Sequence, residues 1–200
     1  MLGPRGFAAV NRCYRICQNA AKSRQGLREA RLRRLVLMRH SKAERHSAGG
    51  SDFDRALTER GRSDAALMGR VLAKAGVSPD RVLVSSAVRT QQTWAAMADS
   101  LPEAKAISLR ALYHAEPDVI LGLVETEDDA DTLMIVAHNP GIHALALRLL
   151  KAASEPASVM ARFERGFPTS TAAVFAIDEA GRANYDGLFL AADHGGGGGE

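Results

Sequence analysis

The chain has 200 residues, enough for one α/β domain and short for two. Its composition, 46% hydrophobic and 24% charged, is that of a folded globular protein, with no run of about 18 apolar residues to span a membrane and only two cysteines, Cys13 and Cys17, too few for a disulfide framework. The net charge of +3 is uneven: residues 1–34 hold nine Lys/Arg against the single acid Glu29, while 35–200 carry a net charge of −5, so the basic character does not belong to a folded surface and nucleic acid is not the expected partner.

Residues 1–31 scatter Gly, Pro and Arg with no sustained apolar period and read as a basic flexible leader. An arm, a start codon set upstream of the working one, and an Arg-rich targeting segment remain open readings. Leu35–Met38 is a short apolar run, a buried strand. Thr58 caps a helix through Ala75 with Ala65, Met68 and Leu72 at helical spacing, and Gly76 stops it. Ser78-Pro79-Asp80 turns into a strand at Arg81–Ser85. A helix from Ala87 to Ser100 is expected to bury Val88, Ala95, Ala98 and Leu101. Ala106–Leu109 is a short strand, and Pro117 opens a helix with Ile120, Leu121 and Val124 inward. Thr132–Ala137 is the most apolar strand, followed by a Leu- and Ala-rich helix to Leu150. Thr171–Ile177 and Tyr185–Leu190 are two late strands. Residues 191–200, with five consecutive glycines from Gly195 to Gly199, read as a flexible tail. Strands alternating with helices predict a single domain over 32–190, an α/β/α sandwich with a mostly parallel sheet. In such sheets ligands bind beyond the carboxyl ends of the strands.

Three of those ends carry chemistry. Arg39 and His40 follow the first strand. Ser85, Ser86 and, one turn into the helix, Arg89 follow the second. His138 follows Ala137. Two guanidiniums suit a tetrahedral dianion, one imidazole is a competent nucleophile toward phosphorus, and a second imidazole can donate to a phosphoryl oxygen. With two arginines carrying the electrostatic load, no metal or other cofactor is expected. Neighbouring guanidiniums disfavour an imidazolium, so His40 is expected to be neutral near pH 7, and His138 to take up charge once a dianion binds.

Leu37-Met38-Arg39-His40 resembles the Arg-His motif of the histidine phosphatase superfamily, which has the phosphoglycerate-mutase-like fold. Val84 to Thr93 (VSSAVRTQQT), Val136-Ala137-His138-Asn139-Pro140 and Asp54 to Gly61 resemble its further motifs, in the right order. Pro168 to Ala173 (PTSTAA) is similar to a segment of the SixA-type phosphohistidine phosphatases. The resemblance spans about residues 33 to 190. It implies a phosphatase with His40 as nucleophile and Arg39, Arg89 and His138 completing the phosphate pocket. Ser41 stands where many members have Gly, and its hydroxyl is expected to reach the phosphate. Larger members use a Glu as general acid after the second arginine segment. Glu116 is the nearest candidate, and a first-turn helix acid beside Pro117 is an equal reading of it.

His40 and Arg89, and again Arg89 and His138, are 49 positions apart, intervals that the core elements consume. No insertion remains for a lid, and an open pocket suits a phosphorylated side chain of a partner protein, phosphohistidine foremost. A small-molecule phosphomonoesterase and a non-catalytic phospho-residue binding module are the alternatives. His46, His114, His143 and His194 read as surface or loop histidines. Trp94 reads as a core or interface residue, and Ser85 and Ser86 as shaping the strand-to-helix turn. A cytoplasmic setting without membrane association is the expectation. The sequence leaves the oligomeric state open.

Overall fold

A computed structural model describes residues 32–47, 49–127 and 129–197. The leader expected over 1–31, with Cys13 and Cys17, lies outside the described residues. The elements are β1 (Arg34–Arg39), α1 (Glu59–Lys74), β2 (Arg81–Ser85), α2 (Val88–Ala98), β3 (Lys105–Leu109), α3 (Pro117–Glu125), β4 (Thr132–Ala137), α4 (Gly141–Ala152), α5 (Ala157–Glu164), β5 (Thr171–Ile177) and β6 (Ala183–Leu190). They build one six-stranded sheet in the order β3-β2-β4-β1-β5-β6. β3, β2, β4 and β1 run parallel; β5 joins β1 antiparallel and pairs with β6 as a hairpin. The mostly parallel sheet is as the sequence predicts.

Strand periodicity sorts the core into two halves. Leu35, Leu37, Leu83, Leu133 and Ile135 face one way and pack with residues of α3, α4 and α5. Val36, Met38, Val82, Val84, Met134 and Val136 face the other way and pack with α1 and with Met97 of α2. Helices therefore cover both faces, which is why β1 and β4 read as continuous apolar runs instead of alternating ones. Each fully buried Val, Leu or Met contributes about 1.5–3 kcal/mol relative to exposure.

The ends of α1 follow local chemistry. The Thr58 side chain accepts the Gly61 N–H at 2.9 Å. At the other end Gly76 adopts φ +71°, and the N–H groups of Gly76 and Val77 return to the carbonyls of Ala73 and Leu72.

Three expectations change. α2 turns Arg89, Thr90, Thr93 and Met97 inward, while Ala95 is exposed and Val88 and Ala98 are only half-buried. An apolar count misplaces this face because the helix opens at the strand ends and its inward side is polar. α5 has no counterpart in the sequence reading: it is two turns long after Pro156 and buries only Phe163. The flexible tail expected from 191 is replaced by structure over 191–197, because Ala191–His194 form a 3-10 turn with Ala191 buried, and the Gly197 N–H donates to Asp64 of α1 at 3.0 Å. None of the helices among the described residues is long and apolar enough to cross a membrane.

Candidate active site

Parallel pairing of β1 with β4 sets Arg39 opposite Ala137, so the residues that follow, His40 and His138, leave the sheet side by side. Their ring centroids are 5.1 Å apart. β2 flanks β4 on its other side and brings the Ser85 hydroxyl to 2.8 Å from His138 Nε2. Arg89, in the first turn of α2, is 2% exposed. Its backbone carbonyl accepts from Thr93, whose hydroxyl oxygen also accepts the Ser41 N–H at 3.0 Å. Four residues from three distant segments thus converge on one edge of the sheet.

His40 Nδ1 lies 2.8 Å from the Ser41 carbonyl. A carbonyl only accepts, so the hydrogen is on Nδ1 and the Nε2 lone pair is left for reaction. Burial, then the charges of Arg89 and Arg39, push the pKa of His40 down from 6.5 to about 3, although the Ser41 bond works the other way. Burial, not the guanidiniums that the sequence points to, is the largest cause. Burial likewise lowers His138 to about 2, helped by His40 and Arg89.

Supporting contacts come from Ser170, inside the Pro168 to Ala173 segment, and from Phe167 just before it. The Phe167 carbonyl accepts from Arg39 Nη1 at 2.8 Å and from Asn139 Nδ2 at 3.0 Å. The Ser170 N–H donates to the His40 carbonyl, and its hydroxyl to Ser41 Oγ at 2.7 Å. Ser41 is fully buried. Its hydroxyl, expected at the phosphate, instead faces Ser170, because the backbone turn that gives His40 its Nδ1 partner directs the Ser41 side chain inward.

Asp52, in a 3-10 turn between β1 and α1, was not singled out from the sequence. Arg89 Nη1 donates to its carbonyl at 2.7 Å and Nη2 to its Oδ2 at 3.0 Å. Oδ2 also accepts from the Tyr113 hydroxyl at 2.9 Å and faces His114 Nε2 at 3.3 Å, while Oδ1 takes Arg55 Nε at 2.8 Å. Burial opposes ionisation, but the bonds from Tyr113 and His114 and the charge of Arg89 outweigh it and hold the carboxyl well below its usual range. His114, read as a surface histidine, stacks on His138 with centroids 5.7 Å apart and planes inclined by 12°. Tyr113 meets His138 edge-on at 5.6 Å. Glu116 is exposed at the N-cap of α3 and makes no side-chain capping bond, whereas Asp52 is bonded directly to Arg89.

The remaining readings resolve simply. His143 Nε2 is bound to the Phe163 carbonyl, and His46 is exposed. Trp94 packs half-buried against the second core cluster. Among the described residues no three His, Cys, Asp or Glu side chains group to hold a metal ion.

Residues 35–113 match the model of the histidine phosphatase superfamily (branch 1). An uncharacterized protein of Mycobacterium tuberculosis is 35% identical over 141 residues, 70% of this chain and 87% of that one. The candidate phosphohistidine phosphatase SixA of Agrobacterium tumefaciens superposes with a TM-score of 0.71 at 28% identity, covering 80% of this chain and 98% of its own. A protein histidine phosphatase SixA complexed with tungstate superposes with a TM-score of 0.64 at 27% identity, covering 80% and 99%. The chain belongs to the histidine phosphatase superfamily and is a phosphatase of SixA type.

Proposed function

We propose that the protein is a metal-independent phosphatase that removes phosphate from phosphohistidine on a partner protein through a phosphoryl group carried on His40. The observation behind this reading is the His40 Nδ1 bond to the Ser41 carbonyl, which leaves an unprotonated Nε2 beside two arginines and a second histidine.

His40 Nε2 forms a bond to phosphorus as the bond to the substrate nitrogen breaks, the electron pair leaving with that nitrogen. The His40 ring becomes an imidazolium, and its Nδ1–H on the Ser41 carbonyl spreads the charge. Water then attacks phosphorus, the P–Nε2 bond breaks and the neutral ring returns. Arg39 and Arg89 supply fixed positive charge to the phosphoryl oxygens. While both Nη groups of Arg89 hold Asp52, its Nε is buried without a partner, as is Nδ1 of His138. A buried polar group left unsatisfied costs about 1–3 kcal/mol, and a phosphoryl oxygen is a fitting acceptor for both. Ser41, Thr93, Ser170 and Phe167 position this set from behind.

The kinship with SixA proteins and the absence of a long insertion between the motifs favour a protein-borne phosphohistidine over a sugar phosphate. The test is incubation of the purified protein with a phosphohistidine protein and with small phosphoesters, with and without EDTA, reading phosphate release. Release from phosphohistidine in EDTA is expected, with labelled phosphate trapped on His40. Label on another residue, or activity lost in EDTA and restored by one divalent ion, would overturn the reading.

A further inference from the structure

We infer that His114, held by Asp52, is the catalytic residue that protonates the leaving group and then activates water, a role that the sequence suggested for Glu116. This rests on the phosphohistidine reading above and adds the proton transfer which that reading leaves unassigned.

His114 Nε2 faces the Asp52 carboxylate, which only accepts, so Nε2 carries hydrogen and Nδ1 is the nitrogen that exchanges a proton. Asp52 is fixed in turn by Arg89, Tyr113 and Arg55, so the imidazole is oriented by a carboxylate that is itself immobilised. The ring lies on the face of His138, next to the reacting set, yet its side chain is 55% exposed. His40 and His138 are buried, so His114 is the most solvent-exposed histidine of this cluster, placed at its outer side where a leaving group departs. The titratable or charged groups around it are Asp52 from the turn before α1, Tyr113 beside it in the chain, His138 after β4 and Arg89 of α2. Its backbone has φ +52°, a left-handed conformation that non-glycine residues adopt at some cost. The carbonyl of the next residue, Ala115, packs against Gly141, whose Cα has no room for a Cβ there. The fold thus holds His114 in place at a conformational cost.

Imidazole exchanges protons near neutral pH and serves in either direction. As His40 Nε2 bonds to phosphorus, the His114 Nδ1–H passes to the leaving group: to the free ring nitrogen of phosphohistidine, so that neutral imidazole departs, or to the oxygen of an ester. Neutral His114 then takes a proton from the water that attacks phospho-His40 and is reset. The device extends the enzyme to leaving groups that cannot depart unprotonated.

The test compares p-nitrophenyl phosphate, whose phenolate leaves readily, with phenyl phosphate, whose phenolate does not, alongside phosphohistidine protein. His114→Asn keeps a residue that tolerates the left-handed backbone and removes the titratable ring. In this variant the ratio of kcat/KM for p-nitrophenyl phosphate to that for phenyl phosphate is expected to rise about 100-fold, the usual size of a general-acid contribution. Phospho-His40 should accumulate at steady state, because its hydrolysis has lost its base. Glu116→Gln should leave the ratio where it is. A ratio unmoved in His114→Asn, or one that moves in Glu116→Gln instead, overturns the inference while leaving the phosphatase reading intact. Wild-type protein that releases phosphate from none of the three substrates overturns both.

Discussion

Acid should unfold this protein through its two buried histidines. Each has an ordinary pKa of 6.5 that folding lowers, to about 3 for His40 and about 2 for His138, with burial as the leading cause. Below pH 6.5 the unfolded chain takes up a proton at each ring and the folded chain does not. Protons therefore favour the unfolded state, and stability present above pH 6.5 is lost as pH falls toward the folded values. The slope is about 1.4 kcal/mol per pH unit for each group, so between pH 6.5 and 5.0 each histidine removes about 2 kcal/mol and the pair about 4. That is a large part of the roughly 5–15 kcal/mol that holds a domain of this size. Asp52 also has a lowered pKa, but its contribution is lost only below the ordinary carboxylate value of 3.8, outside this window. Urea unfolding followed by Trp94 fluorescence at pH 7.5 and 5.0, at fixed ionic strength, measures the difference. His40→Asn and His138→Gln should each reduce the fall in unfolding free energy by about 2 kcal/mol, whatever the substitution does to stability at pH 7.5. A fall as large in both variants as in the wild type would refute the assignment of neutral, buried rings.

Three further outcomes follow from single contacts. His40→Ala should abolish turnover of phosphohistidine while keeping affinity for inorganic phosphate within about threefold, since Arg39, Arg89 and His138 remain, each charged hydrogen bond carrying about 1.5–3 kcal/mol; phosphate release by the variant would refute it. Gly141→Ala places a Cβ 1.8 Å from the Ala115 carbonyl and should cost about 1–3 kcal/mol or more, whereas Gly122→Ala, in α3 with nothing within 4 Å, should gain about 0.5–1 kcal/mol; urea midpoints that fail to separate the two would refute the packing argument. A chain starting at Leu32 should fold and turn over phosphohistidine as the full chain does, because β1 and the four converging residues lie downstream; loss of folding by circular dichroism would contradict it.

The parallel sheet was legible because its strands are short apolar runs bounded by strong turn and cap signals. Arg81–Ser85 and Thr132–Ala137 fall where the sequence puts them, and Thr58 and Gly76 bound α1. α5 was not legible, since a two-turn helix that buries one phenylalanine leaves no apolar period to count. α2 was legible as a helix but its buried face was not. Arg89, Thr90 and Thr93 look like a solvated side until the helix is known to begin at the sheet edge where the site is built.

The same distinction separates the residues of the site. Arg39, His40, Arg89 and His138 stand next to apolar strands, so local pattern places them at one edge before any coordinates are known. Asp52, Tyr113 and His114 lie in polar loops, where acid, hydroxyl and imidazole are ordinary solvated residues. What makes Asp52 necessary is Arg89: a guanidinium 2% exposed must have an anionic or multiply accepting partner, because an unpaired buried charge costs several kcal/mol. That requirement exists only once α2 is known to turn Arg89 inward. The partner then comes from a loop 37 positions earlier and supplies both a carbonyl and a carboxylate oxygen. Tyr113 and His114 converge on that same carboxylate from the loop before α3. The second group of site residues is therefore organised by the burial of one member of the first, which no local spacing in the sequence records.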